Sequence, residues 1–385
     1  MMIIKNAKLI TMEEKNYDNA NILIRDGKIE VISELDISLE GAEIIDANGN
    51  FVFPGFIDAH CHLGMWEDSI GFEGADGNEM TNPITPELRA IDGINPQDRT
   101  FEEARNGGVT SCASGPGSAN IIGGQFAAIK TYGNNIDDMI IKAPIAMKCA
   151  FGENPKRVYS EKKQMPYTRM AIASELRATL AKAFEYKAKL EAAKDDPSKK
   201  PTFDFKMMAL QSLVNREIPL KAHAHRADDI LTAIRIAKEF DLKLTLEHCT
   251  EGHLIVDILK EEGYPVVVGP SFGHRTKFEL KNTSFETAGI LANAGIEVAI
   301  MTDSPVIPLH HLPLCASYAV KAGMKEEDAM KSITITPAKI LGLDEQIGSI
   351  REGKDADIVI WDRHPLDLMA NVLYTIIDGK VVYKK

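Results

Sequence analysis

Two histidines one residue apart, His60 and His62, follow an apolar run from Asn50 to Ile57 that is interrupted by Pro54-Gly55. In an extended strand residues i and i+2 face the same side, so both imidazoles aim at one point, a chelating geometry. A His-x-His pair also arises from ordinary packing, and by itself it does not separate the two roles. The rest of the chain supplies three partners: His223, His248 and Asp303 each end a short apolar run, Pro219 to Ala222, Leu244 to Glu247 and Glu297 to Thr302. Imidazoles with one carboxylate suit Zn²⁺ or a similar divalent ion, one or two per chain, with a position open for water. Such an ion acidifies water and polarises a carbonyl beside it. Asp303 is then the group to accept the water proton and pass it to a leaving nitrogen.

These residues must be carried on elements that converge. From residue 53 to 343, strand-like runs such as Val109-Thr110-Ser111-Cys112, Ala143 to Lys148 and Pro265 to Gly269 alternate with helix-like ones, Arg99 to Asn106, Ala227 to Phe240 and Leu254 to Glu262 among them. That alternation predicts βα units around a parallel sheet, and its length favours an α/β fold of the (β/α)8 TIM barrel type. The five polar residues then follow the first, fifth, sixth and last strands, on the barrel face where active sites are built. A doubly wound open sheet is the structural alternative.

The two ends read differently. Residues 1–52 hold short β-prone runs separated by Asp26-Gly27 and Asn48-Gly49, turns that need positive φ, and residues 344–385 offer matching runs at Ala356 to Trp361 and Val372 to Tyr383. We expect them to pair into a small composite β-sandwich beside the barrel. Between Tyr167 and Asp196 the chain is rich in Ala, Lys, Glu and Leu and predicts a long helix, ended by Asp195 to Pro201, within an insertion in the barrel around residues 160–203.

Composition narrows the partners. A net charge of -12 with no basic stripe argues against nucleic acid and for a small-molecule substrate. Five scattered cysteines without CxxC spacing, and no apolar run long enough for a membrane span, point to a cytoplasmic protein with reduced thiols. A homo-oligomer is expected.

Phe53 to His62, Leu246-Glu247-His248, Met301-Thr302-Asp303-Ser304-Pro305, Thr336 to Gly342 and Gly348 to Val359 together resemble the amidohydrolase superfamily, on the branch of imidazolonepropionase and related amidohydrolases. The resemblance covers almost the whole chain. It implies a metal-dependent barrel flanked by a β-sandwich from both termini, and hydrolysis of amide or other carbon–nitrogen bonds, with cyclic amides foremost and a dipeptidase or carboxypeptidase-like activity as the alternative. It assigns metal to His60, His62, His223, His248 and Asp303. Binuclear members bridge two ions with a carboxylated lysine or a glutamate; Lys148 and Glu153 are the rival bridges here, whereas imidazolonepropionase uses one metal and no bridge. His225, on the same strand parity as His223, can serve as ligand in its place, but the resemblance turns it to the substrate. His274-Arg275, after the seventh strand, stands as a grip for a substrate carboxylate or carbonyl. Deamination is less favoured because Arg226 occupies the fourth place of the pattern that starts at His223, where many deaminases carry glutamate in His-x-x-Glu. A barrel that has lost its chemistry is the reading from another class, opposed by the complete ligand set.

Several tempting features read as structural. Gly115 to Gln125 lacks the Gly-Lys-Ser/Thr ending of a phosphate loop and is expected to be a βα loop lining the pocket. Alternation turns Cys61 and Cys249 away from a metal held by their neighbours.

Overall fold

The computed structural model describes residues 1–385. In chain order its strands are β1 (Met2–Leu9), β2 (Tyr17–Arg25), β3 (Lys28–Ser33), β4 (Glu43–Asp46) and β5 (Phe51–Pro54); β6 (Phe56–Cys61), β7 (Val109–Ser114), β8 (Ile122–Lys130), β9 (Ile140–Ala150), β10 (Leu220–Ala224), β11 (Leu244–His248), β12 (Val266–Val268) and β13 (Val298–Ile300); and β14 (Ile358–Trp361), β15 (Val372–Ile377) and β16 (Lys380–Lys384). They form two sheets of eight.

β6 to β13 follow one another around a nearly closed barrel. The expected regular βα repeat fails at the third strand. β8 runs antiparallel to both β7 and β9, whereas every other adjacent pair is parallel. The reason is chain length: Gly115 to Ile121 is too short for the dozen or more residues of a parallel crossover, so the chain must turn straight back. Part of the expected loop, Ile122 to Gln125, is therefore strand. Its two glycines hide it from a strand reading. No ladder joins β13 to β6. The seam is closed by Asp58, whose Oδ2 accepts from the Thr302 backbone N–H (2.8 Å) and hydroxyl (2.7 Å), and by the His62 N–H donating to the Ser304 carbonyl.

Both termini contribute to the other sheet, ordered β16-β15-β14-β5-β1-β2-β3 with β4 added on β1. It curls on itself: Ile29 N–H donates to the Lys354 carbonyl, Ala356 N–H to Gly27, and a bridge joins Lys28 to Asp355. Ile4, Leu9, Ile22, Ile24, Ile358 and Ile376 form a core inside the curl, separate from that of the barrel. Asp26-Gly27 joins β2 to β3 with both residues at positive φ (48° and 80°), as a two-residue hairpin of this twist requires. One buried cation ties this sheet to the barrel. Lys130, at the end of β8, places Nζ 2.6 Å from Asp357, 2.9 Å from Asp355 and 3.1 Å from Asp378.

The Ala-rich segment forms one helix, Arg169–Asp195, capped by the Thr168 hydroxyl accepting from Ala171 N–H. Ile172, Leu176, Leu180 and Ala183 are buried at near-fourfold spacing, which seats a single face on the barrel.

Candidate metal centre

The barrel mouth is a pocket of about 860 Å³, lined among others by His62, Trp66, His223, His225, His248 and Asp303. Two groups of donors meet there. His60, His62 and Asp303 offer donor atoms within 4.8 Å of one another, and so do His223, His225 and His248. The spread is close to what ligands each about 2.1 Å from a shared ion require. The groups adjoin: the rings of His60 and His248 lie 5.5 Å apart.

Each ring is oriented by the strand end beneath it and by a bond to its far nitrogen. His60 Nδ1 bonds to Glu247 Oε2 (2.7 Å), His62 Nδ1 to the Gly115 carbonyl (2.6 Å) and His248 Nδ1 to the Gly269 carbonyl (2.8 Å). Since only a protonated Nδ1 can donate to these oxygens, each Nε2 keeps its lone pair. Glu247 in turn holds Lys221 (2.8 Å) and accepts from the Thr245 hydroxyl, all three buried inside the barrel. His248 and Asp303 adopt positive φ (70° and 55°), which turns each side chain out of simple strand alternation and towards the pocket.

The donor set fits an ion on two observations. His223 Nδ1 and Asp303 Oδ1 are buried without a hydrogen-bond partner, and Asp303 Oδ1 lies 3.1 Å from His62 Nε2 and 3.7 Å from His60 Nε2. Orphaned buried polar atoms of this kind ask for a ligand. Burial also holds His60, His223 and His248 well below the ordinary histidine range and brings His225 down to about 3, so all four rings are neutral and able to ligate.

Lys148, on β9, is fully buried with Nζ 2.9 Å from His60 Nε2, and burial brings its amine down to about 8 against the pull of Asp303 and Glu247. Glu153 is elsewhere: it opens the helix Glu153–Glu161 and its backbone N–H donates to Glu279 Oε2 (2.8 Å), outside both donor groups. His225 joins His223 and His248, with Nδ1 2.7 Å from the Thr250 hydroxyl. His274 and Arg275 line the outer pocket, and Arg275 Nε and Nη2 are bonded to the Lys281 and Thr283 carbonyls of their own loop. Neither Cys61 nor Cys249 belongs to a donor group; both are buried thiols, Cys249 pushed up to about 12 by burial.

Sequence reading left several contributors unassigned. Lys221 shares the parity of His223 and Glu247 that of Thr245, polar residues facing into an apolar barrel, and that alternation was an available signal. Asn154 and Lys277 had none, because their meeting depends on two distant loops: Lys277 Nζ donates to Asn154 Oδ1 (2.6 Å), and Asn154 Nδ2 donates to Ser118 Oγ (2.7 Å).

A barrel with histidine pairs at its strand ends, a carboxylate just after its last strand and a sheet built from both termini is the architecture anticipated from the motifs. Residues 51–382 match the amidohydrolase family, and the chain belongs to it. It is 30% identical over 370 residues to the amidohydrolase tasK of Hapsidospora irregularis, covering 88% of this chain but only 37% of that relative. It is 25% identical over 384 residues to an imidazolonepropionase of Caldanaerobacter subterraneus subsp. tengcongensis, covering 92% and 86% of the two. An amidohydrolase of Thermotoga maritima MSB8 superposes over the whole of both chains with a TM-score of 0.97 at 45% identity.

Proposed function

We propose that this protein is a hydrolase that cleaves an amide or related carbon–nitrogen bond of a small molecule with water, at a centre holding Zn²⁺ or a similar divalent ion. The observation that carries the reading is the meeting of two donor groups around Lys148. His60, His62 and Asp303 would hold one ion, His223 and His248 a second, with carboxylated Lys148 between them. An ion at these donors supplies Lewis acidity towards a carbonyl oxygen and towards water. Asp303 accepts the water proton and delivers it to the leaving nitrogen. Trp66, whose ring lies 5.1 Å from His62, walls the pocket. His225 faces the substrate from the fifth strand. Arg275, with two arms on its own loop, stiffens the rim and keeps its third arm for the substrate, beside His274.

Elemental mass spectrometry on gently purified protein, paired with turnover of cyclic amides and N-acyl amino acids, tests the reading. Two ions per chain are expected, with Asp303→Asn lowering kcat about 10²- to 10⁴-fold. One ion per chain would remove the bridge and favour an imidazolonepropionase-like arrangement. No metal after reconstitution, together with no turnover, would overturn the hydrolase.

A further inference from the structure

The pocket wall facing the donor groups carries a cation whose ion-pair partner, Glu279, is buried behind it and too far for a hydrogen bond. Lys277, on the loop after β12, points into the pocket with its side chain 22% exposed. Its ammonium has one short bond, to Asn154 Oδ1. The nearest carboxylate oxygen, Glu279 Oε1, is 3.9 Å away, outside hydrogen-bond range, and Glu279 commits its other oxygen to the Glu153 N–H. Two of the three ammonium donors therefore remain. Burial, and to a lesser degree the charge of Arg157, disfavours the ammonium, which Glu279, Glu153 and Asp303 only partly offset.

Lys277 is also close to the donor groups. Asn154, which holds it, has Nδ2 3.5 Å from His223 Nε2, and the charge of Lys277 reaches His225 and His248. Arg275 lies two residues away on the same wall. The acidic side chains lining the pocket are Asp303 and Glu286, and Asp303 belongs with the metal donors. On the loop side Lys277 and Arg275 therefore face one lining carboxylate, Glu286, with Glu279 buried behind Lys277.

We infer that Lys277, steadied by Asn154, is the specificity determinant for a carboxylate on the substrate, so that the bond cleaved belongs to a carboxylate-bearing amide rather than a neutral one. Two free N–H donors on a partly desolvated ammonium match the two oxygens of a carboxylate, and charge-assisted bonds of this kind are the strong ones. The inference rests on the hydrolase reading and narrows it.

The test compares N-acetyl amino acids and dipeptides with their C-terminal amides, on metal-loaded wild-type protein and on Lys277→Gln. Wild type should favour the free carboxylates in kcat/KM, and Lys277→Gln should raise KM for them roughly tenfold or more while leaving KM for the amides and kcat for both nearly unchanged. Equal use of the two series, or equal losses on both, would overturn the carboxylate anchor and leave the hydrolase standing. If wild type turns over neither series, calorimetry of a dipeptide and its amide decides: at least tenfold tighter binding of the carboxylate, lost in Lys277→Gln, supports the anchor, and equal binding overturns it.

Discussion

Lys148 Nζ lies 2.9 Å from His60 Nε2, and the opposite nitrogen of that ring is tied to Glu247. The one imidazole lone pair left for a ligand thus faces a lysine amine. A lysine brought down to about 8 is partly neutral at physiological pH, and only the neutral amine adds CO₂, forming a carbamate and releasing a proton. Carboxylation would turn a competing donor into an anionic bridge.

Apoprotein reloaded with metal should therefore regain activity faster with added bicarbonate. At a fixed concentration of dissolved CO₂ the rate should climb as pH rises towards about 8 and level off above it, as the neutral amine fraction saturates. Lys148→Met should hold one ion fewer and show no bicarbonate effect. A ¹³C carbamate resonance from labelled bicarbonate, present in wild type and absent in the variant, checks the assignment.

Glu247 orients His60 and neutralises Lys221, and these roles separate by mutation. Glu247→Gln should weaken metal binding about 10- to 100-fold and cost about 3–5 kcal/mol, because Lys221 is left buried and unpaired. Adding Lys221→Met should recover much of the stability but not the metal affinity. Denaturant unfolding and metal titration of the two variants provide the readouts.

Lys130 should be the costliest single charge to remove away from the pocket. Lys130→Met leaves Asp357 buried without its cation, Asp355 keeping Lys28, at about 3–5 kcal/mol. Burial alone would lower the Lys130 amine, but Asp357, Asp378 and Asp355 outweigh it and hold it above the ordinary 10.5. A raised lysine contributes stability that is complete below its unfolded value and is lost as pH climbs through the folded one. The gap between wild type and variant in chemical unfolding should therefore be steady near neutrality and narrow above about pH 10.5.

Removing bound metal should lower the melting temperature. An ion present at a hundredfold its Kd contributes about 2.7 kcal/mol, so chelation should shift the transition by several degrees, reversibly on adding the ion back. His60→Ala should melt near the chelated wild type and respond little to chelator.

Much of this protein could be read from short stretches. His60 and His62 are two residues apart on one strand, so local parity alone aims them together. Asp26-Gly27 dictates its hairpin through positive φ, and the spacing of Ile172, Leu176, Leu180 and Ala183 gives the inserted helix its buried face. These are consequences of backbone geometry within a few residues. The family motifs likewise lie in contiguous runs.

Tertiary structure decided the rest. β8 was missed because Gly123 and Gly124 carry no side chain to show a pattern, and its direction was set by the short connection before it. By sequence Lys148 resembles the bridging lysine and Glu153 is its rival; β9 carries Lys148 into the barrel, while the chain turns at Gly152 (φ 80°) and puts Glu153 on a helix end beside Glu279. Lys277 and Asn154 are separated by 123 residues, and only the fold makes them neighbours. Ligand types are a property of single residues and local periodicity, whereas bridging, orientation and charge balance are pairwise quantities, set when distant strands close into one barrel.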